Sequence, residues 1–254
     1  MSNPTPARPE YGNWVSARIL YTLGALALFF AALSVLLLWF LPFAVFFCLC
    51  FAYFVYARYK FAPQGGNVQS EIRGLVVDHL EWNGQGRCID IGCGSGALAV
   101  MVAKKYPRAQ IIGIDSWGTA WEYSQGVCEK NAELEGVGMR ISFRRASASS
   151  LPFDDESIDA AISNLTFHEV RDVRDKKVAI KEALRVVKKG GSFVFQDLFL
   201  WKRVFGELQD LPDAMRSWGI QKVEFIDTSR SDFIPLALRL PFMVGTIGIV
   251  RGRK

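Results

Sequence analysis

Cys88-Ile89-Asp90-Ile91-Gly92-Cys93-Gly94-Ser95-Gly96-Ala97-Leu98 is the stretch that decides the fold. A short apolar run enters three closely spaced glycines and leaves as a helical pattern, which reads as strand, tight turn, helix. Glycine permits such a turn and lets a ligand approach the backbone where a side chain would clash. The first amides of the following helix have no partner within it, so they suit a carboxylate or phosphate. Asp90, just ahead of the glycines, stands where an acid can pair with a cationic group of a ligand.

Outward from this turn the pattern repeats. Ala97–Tyr106 predicts a helix ended by Pro107, Gln110–Ile114 a strand, Thr119–Leu134 a helix and Arg140–Arg144 a strand. Asp159–Ser163, the helix Val173–Val187 and the strand Ser192–Gln196 form a further unit. Such alternation predicts βαβ units and a mostly parallel sheet. Lys222–Asp227 and Met243–Val250 read as two strands with no helix between them, so an antiparallel end is expected. Phe233–Phe242, interrupted by Pro235, Arg239 and Pro241, reads as a packing or membrane-facing loop. Val68–Trp82 predicts a helix before the first strand, with His79 as a structural residue on its apolar stripe.

A dinucleotide fingerprint runs G-x-G-x-x-G. Here the glycines run G-x-G-x-G at Gly92, Gly94 and Gly96, with the acid two places earlier. That arrangement resembles the first motif of class I S-adenosylmethionine-dependent methyltransferases, particularly the small-molecule and lipid-modifying branch. The resemblance implies a Rossmann-like, doubly wound α/β sheet and S-adenosylmethionine as cofactor. Asp115 ends the second strand 19 residues beyond Gly96, and an acid there accepts hydrogen bonds from ribose hydroxyls. By the same resemblance, Ser116 and Trp117 lie near the sugar or adenine. Ser147-Ala148-Ser149-Ser150-Leu151-Pro152-Phe153 is similar to the family's D-A-x-x-L-P-F segment. Ser147 departs from it, standing where the family usually has an acid that touches the adenine amine. Ala148 can still offer its backbone N–H to the ring. Asn164-Leu165-Thr166-Phe167-His168-Glu169-Val170 resembles the segment that faces cofactor and substrate, which brings Asn164 into the cofactor set. Arg185–Gly191 resembles the turn before strand five, with Lys189 in place of proline. The resemblance covers about residues 70–200 and not the N-terminal region.

His168 is the candidate general base, since its ordinary pKa near 6.5 suits proton transfer at neutral pH. Glu169 is the candidate to replace or orient it. Asp197, just after strand five, reads as a solvated loop acid. A nicotinamide-dependent oxidoreductase on a related fold is the competing enzyme, and a non-catalytic, membrane-tethered cofactor-binding module is the competing non-enzyme. Ser147 keeps the latter open. Asn164-Leu165-Thr166 lacks the N-P-P-aromatic pattern of base-modifying enzymes and no basic patch stands out, which argues against nucleic acid. The five cysteines form no CxxC pair and their number is odd, so neither a metal site nor a disulfide framework is expected.

The N-terminal quarter has a different composition. Between Arg18 and Arg58 lie 39 residues without one charge. At 1.5 Å per residue a single helix of that length extends about 58 Å, nearly twice the ~30 Å hydrocarbon core of a bilayer. Two passes fit better. Pro42 disfavours helical geometry at Leu41 and supplies the break, giving expected spans Ile19–Leu38 and Phe43–Ala57. Net charge is +5, from 30 basic and 25 acidic residues, and residues 1–60 contribute four basic residues and one acid. This charge flanks the apolar block at both ends, which predicts that both ends, and with them the catalytic domain, lie in the cytoplasm. The expected organisation is therefore a cytoplasmic segment 1–18, a membrane hairpin 19–57, a linker 58–67 and an S-adenosylmethionine-binding domain 68–254. The anchor points to a bilayer partner and to a small, lipophilic or membrane-associated acceptor of the methyl group.

Overall fold

The computed structural model describes residues 7–118, 123–220 and 222–254. It contains two compact units: Asn13–Ile72, and Arg73–Lys254 together with the N-terminal residues up to Gly12.

In the first unit, α1 (Ala17–Leu36) begins at Ser16, whose hydroxyl accepts from the Arg18 N–H at 3.2 Å. A 3-10 turn, Leu38–Phe40, leads into α2 (Leu41–Phe61). Pro42 lies in the first turn of α2, where its missing N–H removes no helical bond. The proline thus starts the second helix. That helix begins at Leu41 and runs to Phe61, longer than the expected Phe43–Ala57, and it absorbs the first residues of the expected linker. Phe30 stacks on Phe43 and Phe47 across the hairpin, with centroids 5.5 and 5.4 Å apart. At the open end the Arg58 guanidinium donates to the Val15 carbonyl, and Asn13 Nδ2 donates to the Arg58 carbonyl at 2.9 Å. Both helices are long and apolar enough to cross a membrane, each with a mean hydropathy of 2.3. Leu28, Val35, Phe46 and Leu49 are exposed on them.

Helix α3 (Val68–Asp78) stops four residues before the expected Trp82, and His79 Nδ1 lies 2.7 Å from the Leu75 carbonyl oxygen. The α/β unit continues with β1 (Gly86–Ile91), α4 (Ala97–Lys105), β2 (Ala109–Asp115), α5 (Gln125–Leu134) and β3 (Ile141–Arg145). The first residues expected in α5, 119–122, lie outside the described residues. Next come β4 (Ile158–Asn164), α6 (Lys177–Val186), β5 (Val187–Asp197), α7 (Lys202–Phe205), α8 (Asp210–Ser217), β6 (Lys222–Asp227) and β7 (Gly248–Arg253). The sheet order is β3-β2-β1-β4-β5-β7-β6. Strands β1 to β5 pair in parallel, while β7 runs antiparallel between β5 and β6.

Two expectations shift. The last strand begins at Gly248 and not Met243, because residues 236–246 fold into short turns closed by bonds such as Val244 N–H to the Leu238 carbonyl, 3.2 Å. Arg185–Gly191 is no simple turn. Its second half enters β5, and the register against β4 jumps from Ile158↔Val187 to Ala160↔Ser192, with Gly190 at φ 78° absorbing the irregularity.

Strands buried on both faces read as continuous apolar runs, and Ile89, Ile91, Ile111, Ile162, Phe193 and Phe195 are fully buried. From β1 the chain winds outward to β2 and β3, then returns to β4 on the other side. Because parallel crossovers are right-handed, this reversal puts the connecting helices on opposite faces. It opens a crevice at the carboxyl ends of β1 and β4, the usual ligand position in such sheets.

Candidate active site

The glycine turn closes this crevice on one side. Gly92 and Cys93 both donate to the Ile114 carbonyl, at 2.7 and 3.0 Å, which pins the end of β1 to the end of β2. Gly92 has φ 73°, and a Cβ there would lie 2.1 Å from Thr166 Oγ1. The close approach expected of a ligand is therefore made at Gly92 by the Thr166 side chain, whose hydroxyl donates to the Ile91 carbonyl at 3.1 Å. Gly96, with φ 81°, is the N-cap of α4.

Asp115 organises the turn. Its Oδ2 accepts from the Gly94 N–H at 2.9 Å, and its Oδ1 accepts from the Trp117 N–H at 2.7 Å. Each carboxylate oxygen keeps a lone pair for a further donor. The Trp117 indole N–H donates to the Gly94 carbonyl at 2.9 Å, so this buried ring, held at φ 41°, covers the glycine turn. Ser116 beside it is exposed.

Asp90 is 1 % exposed, and neither carboxylate oxygen takes a hydrogen bond of good geometry among the described residues. Burial pushes its carboxyl up to about 7, against the pull of the Ala99 amide and the Arg73 guanidinium. An orphaned buried acid at the mouth of a glycine turn is costly unless a donor reaches it. Asn164 Oδ1 is likewise buried without a partner. Ala148, almost fully buried, offers an amide that donates to nothing among the described residues. The unused acceptors at Asp90 and Asn164 and the amide of Ala148 fit a ligand that carries an ammonium and a base, as S-adenosylmethionine does.

Across the crevice, the chain leaving β4 makes a 3-10 turn, Phe167–Glu169. It aims three amides at Asp197 Oδ2: Thr166 at 3.1 Å, Phe167 at 2.7 Å and His168 at 3.3 Å. Asp197 Oδ1 accepts from the Leu198 N–H at 2.7 Å and from His168 Nδ1 at 2.6 Å. Asp197 is fully buried, not the solvated loop acid that its position after a strand suggested. Burial disfavours the charged imidazole, but Asp197 outweighs it and raises the His168 pKa above its ordinary value. Glu169 is exposed, and its Oε1 lies 3.7 Å from His168 Nε2, too far for a hydrogen bond. The ring's hydrogen bond is made to Asp197, with Glu169 at ion-pair distance from its other nitrogen.

Two further groups escaped the sequence reading. Asn131 pairs with the backbone of Glu10, accepting from its N–H at 2.7 Å and donating to its carbonyl at 2.9 Å, while Ser95 Oγ donates to the Tyr11 carbonyl at 3.1 Å. A segment from the chain's beginning is thereby fastened beside the glycine turn. Ser147 Oγ donates to Asp172 Oδ2 at 2.6 Å.

Residues 89–195 match a family model described as a methyltransferase domain. A ubiquinone/menaquinone biosynthesis C-methyltransferase of Syntrophotalea carbinolica is 36% identical over 116 residues, 46% of this chain and 45% of that protein. The chain thus spans about half the length of the curated relatives it matches. Among solved structures, the geranyl diphosphate C-methyltransferase of Streptomyces coelicolor A3(2), in complex with Mg2+, geranyl diphosphate and S-adenosyl-L-homocysteine, aligns with a TM-score of 0.56 at 15% identity. That alignment covers 75% of this chain and 80% of that one. The [4+2]-cyclase SpnF aligns with a TM-score of 0.58 at 21% identity, over 76% of this chain and 84% of its own. These likenesses show the fold. With the family match over residues 89–195, they show a methyltransferase domain of the class I, Rossmann-like fold in this chain.

Proposed function

We propose that this chain, built around that domain, is a membrane-anchored methyltransferase acting on a small lipophilic acceptor, with His168 as its general base and Asp197 as the residue that positions it. The observation that supports this reading most is the His168–Asp197 hydrogen bond of 2.6 Å beside the crevice. A fold shared with a cyclase does not by itself imply methyl transfer, so the argument rests on the site.

S-adenosylmethionine, when bound, supplies an electrophilic methyl on a sulfonium. Asp115 would hold the ribose through its two oxygens, and Asp90 would meet the ammonium group. The amide of Ala148 and Oδ1 of Asn164 would complete the contacts, with Trp117 keeping water from the turn. His168 acts on the acceptor. Asp197 accepts the hydrogen bond from Nδ1–H, which fixes the tautomer and leaves the lone pair on Nε2. His168 Nε2 would accept the proton that the acceptor's O, N or S gives up on methylation. The resulting imidazolium is stabilised by Asp197.

The acceptor class follows from the anchor. Two helices that carry no charge between residues 19 and 57, with exposed Leu, Val and Phe side chains, need an apolar environment, and an enzyme held there meets substrates that partition into the bilayer. The likeness to a ubiquinone/menaquinone biosynthesis C-methyltransferase and to a geranyl diphosphate C-methyltransferase accords with a lipophilic acceptor. Arg18 before the hairpin and Arg58 and Lys60 at its end favour both ends on the cytoplasmic side. The test is to incubate the full chain with methyl-labelled S-adenosylmethionine and a membrane lipid extract. A labelled lipid product, absent with His168→Ala, supports the reading. Label confined to water-soluble compounds overturns the lipophilic acceptor.

A further inference from the structure

Ser147 stands two residues beyond the end of β3, beside Asp115, because the Ala146 N–H donates to the Asp115 carbonyl at 3.1 Å. Its hydroxyl donates to Asp172 Oδ2 at 2.6 Å, and the Ser149 hydroxyl donates to the same oxygen. The two hydroxyls also lie 2.9 Å from each other. One loop thus grips a carboxylate that belongs to another, 25 residues further along the chain. Only Oδ2 is used. Oδ1 takes no side-chain donor among the described residues, and Asp172 is exposed.

The sheet order decides what this carboxylate can face. The dyad lies beyond the ends of β4 and β5, and Asp115 lies at the end of β2, with β1 between. A nucleoside whose sugar sits on Asp115 and whose reactive methyl points toward His168 must send its base the other way, over the exit of β3. There the base edge meets the Ala148 amide and the group carried by Ser147 and Ser149.

We infer that Asp172, held by the Ser147 and Ser149 hydroxyls, is the acceptor for the exocyclic amine of the adenine base, a specificity residue supplied from the β4–α6 loop. The inference rests on the cofactor reading above and adds to it a residue outside the glycine turn. Adenine offers an N–H donor at this edge, and a carboxylate is acceptor-only when ionised. The serine hydroxyls hold the Asp172 carboxyl below its ordinary range, so it is ionised at neutral pH. A serine alone would offer one weak acceptor; a serine pair that carries a carboxylate restores the charge.

Calorimetric titration of the full chain in detergent tests this with two ligands: S-adenosylhomocysteine, and its 6-deamino analogue with hydrogen in place of the amine. A hydrogen bond to a charged group predicts that the parent chain prefers the adenosyl ligand by about ten- to a hundredfold. Asp172→Ala should abolish that preference by weakening only the adenosyl ligand. Adding Ser147→Asp to Asp172→Ala should restore it, by returning an acid to the β3 loop. Equal weakening of both ligands, or no change in either, overturns the assignment. A parent chain that binds the two ligands equally well overturns it too. Binding of neither ligand by the parent chain overturns the cofactor reading itself, and this inference with it.

Discussion

The His168 imidazole and the Asp197 carboxylate, 29 residues apart in sequence, share a 2.6 Å hydrogen bond whose acid is fully buried. Four backbone amides hold that acid, so the bond is built into the folded chain and does not wait for a substrate. A base positioned in this way has consequences for rate and for pH.

Removing the imidazole should remove general-base catalysis, which contributes roughly 10²–10⁴-fold. His168→Ala is expected to lower kcat by that order while S-adenosylhomocysteine binds within about twofold of the parent, since Asp115 and the glycine turn are untouched. Steady-state kinetics and calorimetry on the same preparation check both halves.

The raised His168 pKa sets the direction of the pH profile. A base works deprotonated, so the rate should climb as pH rises through a value above the ordinary 6.5. Asp197→Asn removes the charge that favours the imidazolium, and its rising limb should move to lower pH with a lower plateau. A limb that stays in place means the titrating group is not His168.

Asp90 links cofactor binding to protons. Its pKa near 7 comes from burial, which outweighs the Ala99 amide and the Arg73 guanidinium, and an ammonium meeting it as proposed would favour the ionised form. At pH 6 the free protein holds the proton and should release it on binding; at pH 8 it has none to release. Binding heats measured in buffers of different ionisation enthalpy reveal that proton, and Asp90→Asn should abolish the difference. The same raised pKa carries a stability consequence. Its contribution is fully present below the unfolded-state pKa and is lost as pH rises through about 7.

Gly92→Ala meets two obstacles, a left-handed φ of 73° and Thr166 Oγ1 at 2.1 Å from the new methyl. A loss of roughly 1–3 kcal/mol is expected from the backbone alone. Thermal melts in detergent should show it, and Thr166→Ala in the same chain should recover only part, because the φ penalty stays.

The sheet was legible because its evidence is local. Runs rich in isoleucine that end at a glycine or an acid marked β1 and β2, and the G-x-G-x-G spacing marked the turn between β1 and α4. Within the proposed site, the turn, Asp115 and His168 were legible from the sequence, but not the partners that folding brings to them. An acid after a strand is usually solvated, and nothing in Asp197's neighbours announces that a 3-10 turn some 30 residues earlier will point three amides at it. Ser147 read as a weakened contact for the same reason, since its partner Asp172 is brought to it only by folding. Pro42 was legible as a discontinuity and misread as an interruption, because a proline in the first turn of a helix looks the same in sequence as one that ends it.

The most direct measurement is calorimetric titration of the intact, folded chain with S-adenosylmethionine. The expected result is saturable one-to-one binding that Asp115→Ala weakens at least tenfold, because both ribose hydroxyls lose their acceptor. Absence of binding heat, or binding that Asp115→Ala leaves unchanged, would contradict a nucleoside pocket built on the glycine turn.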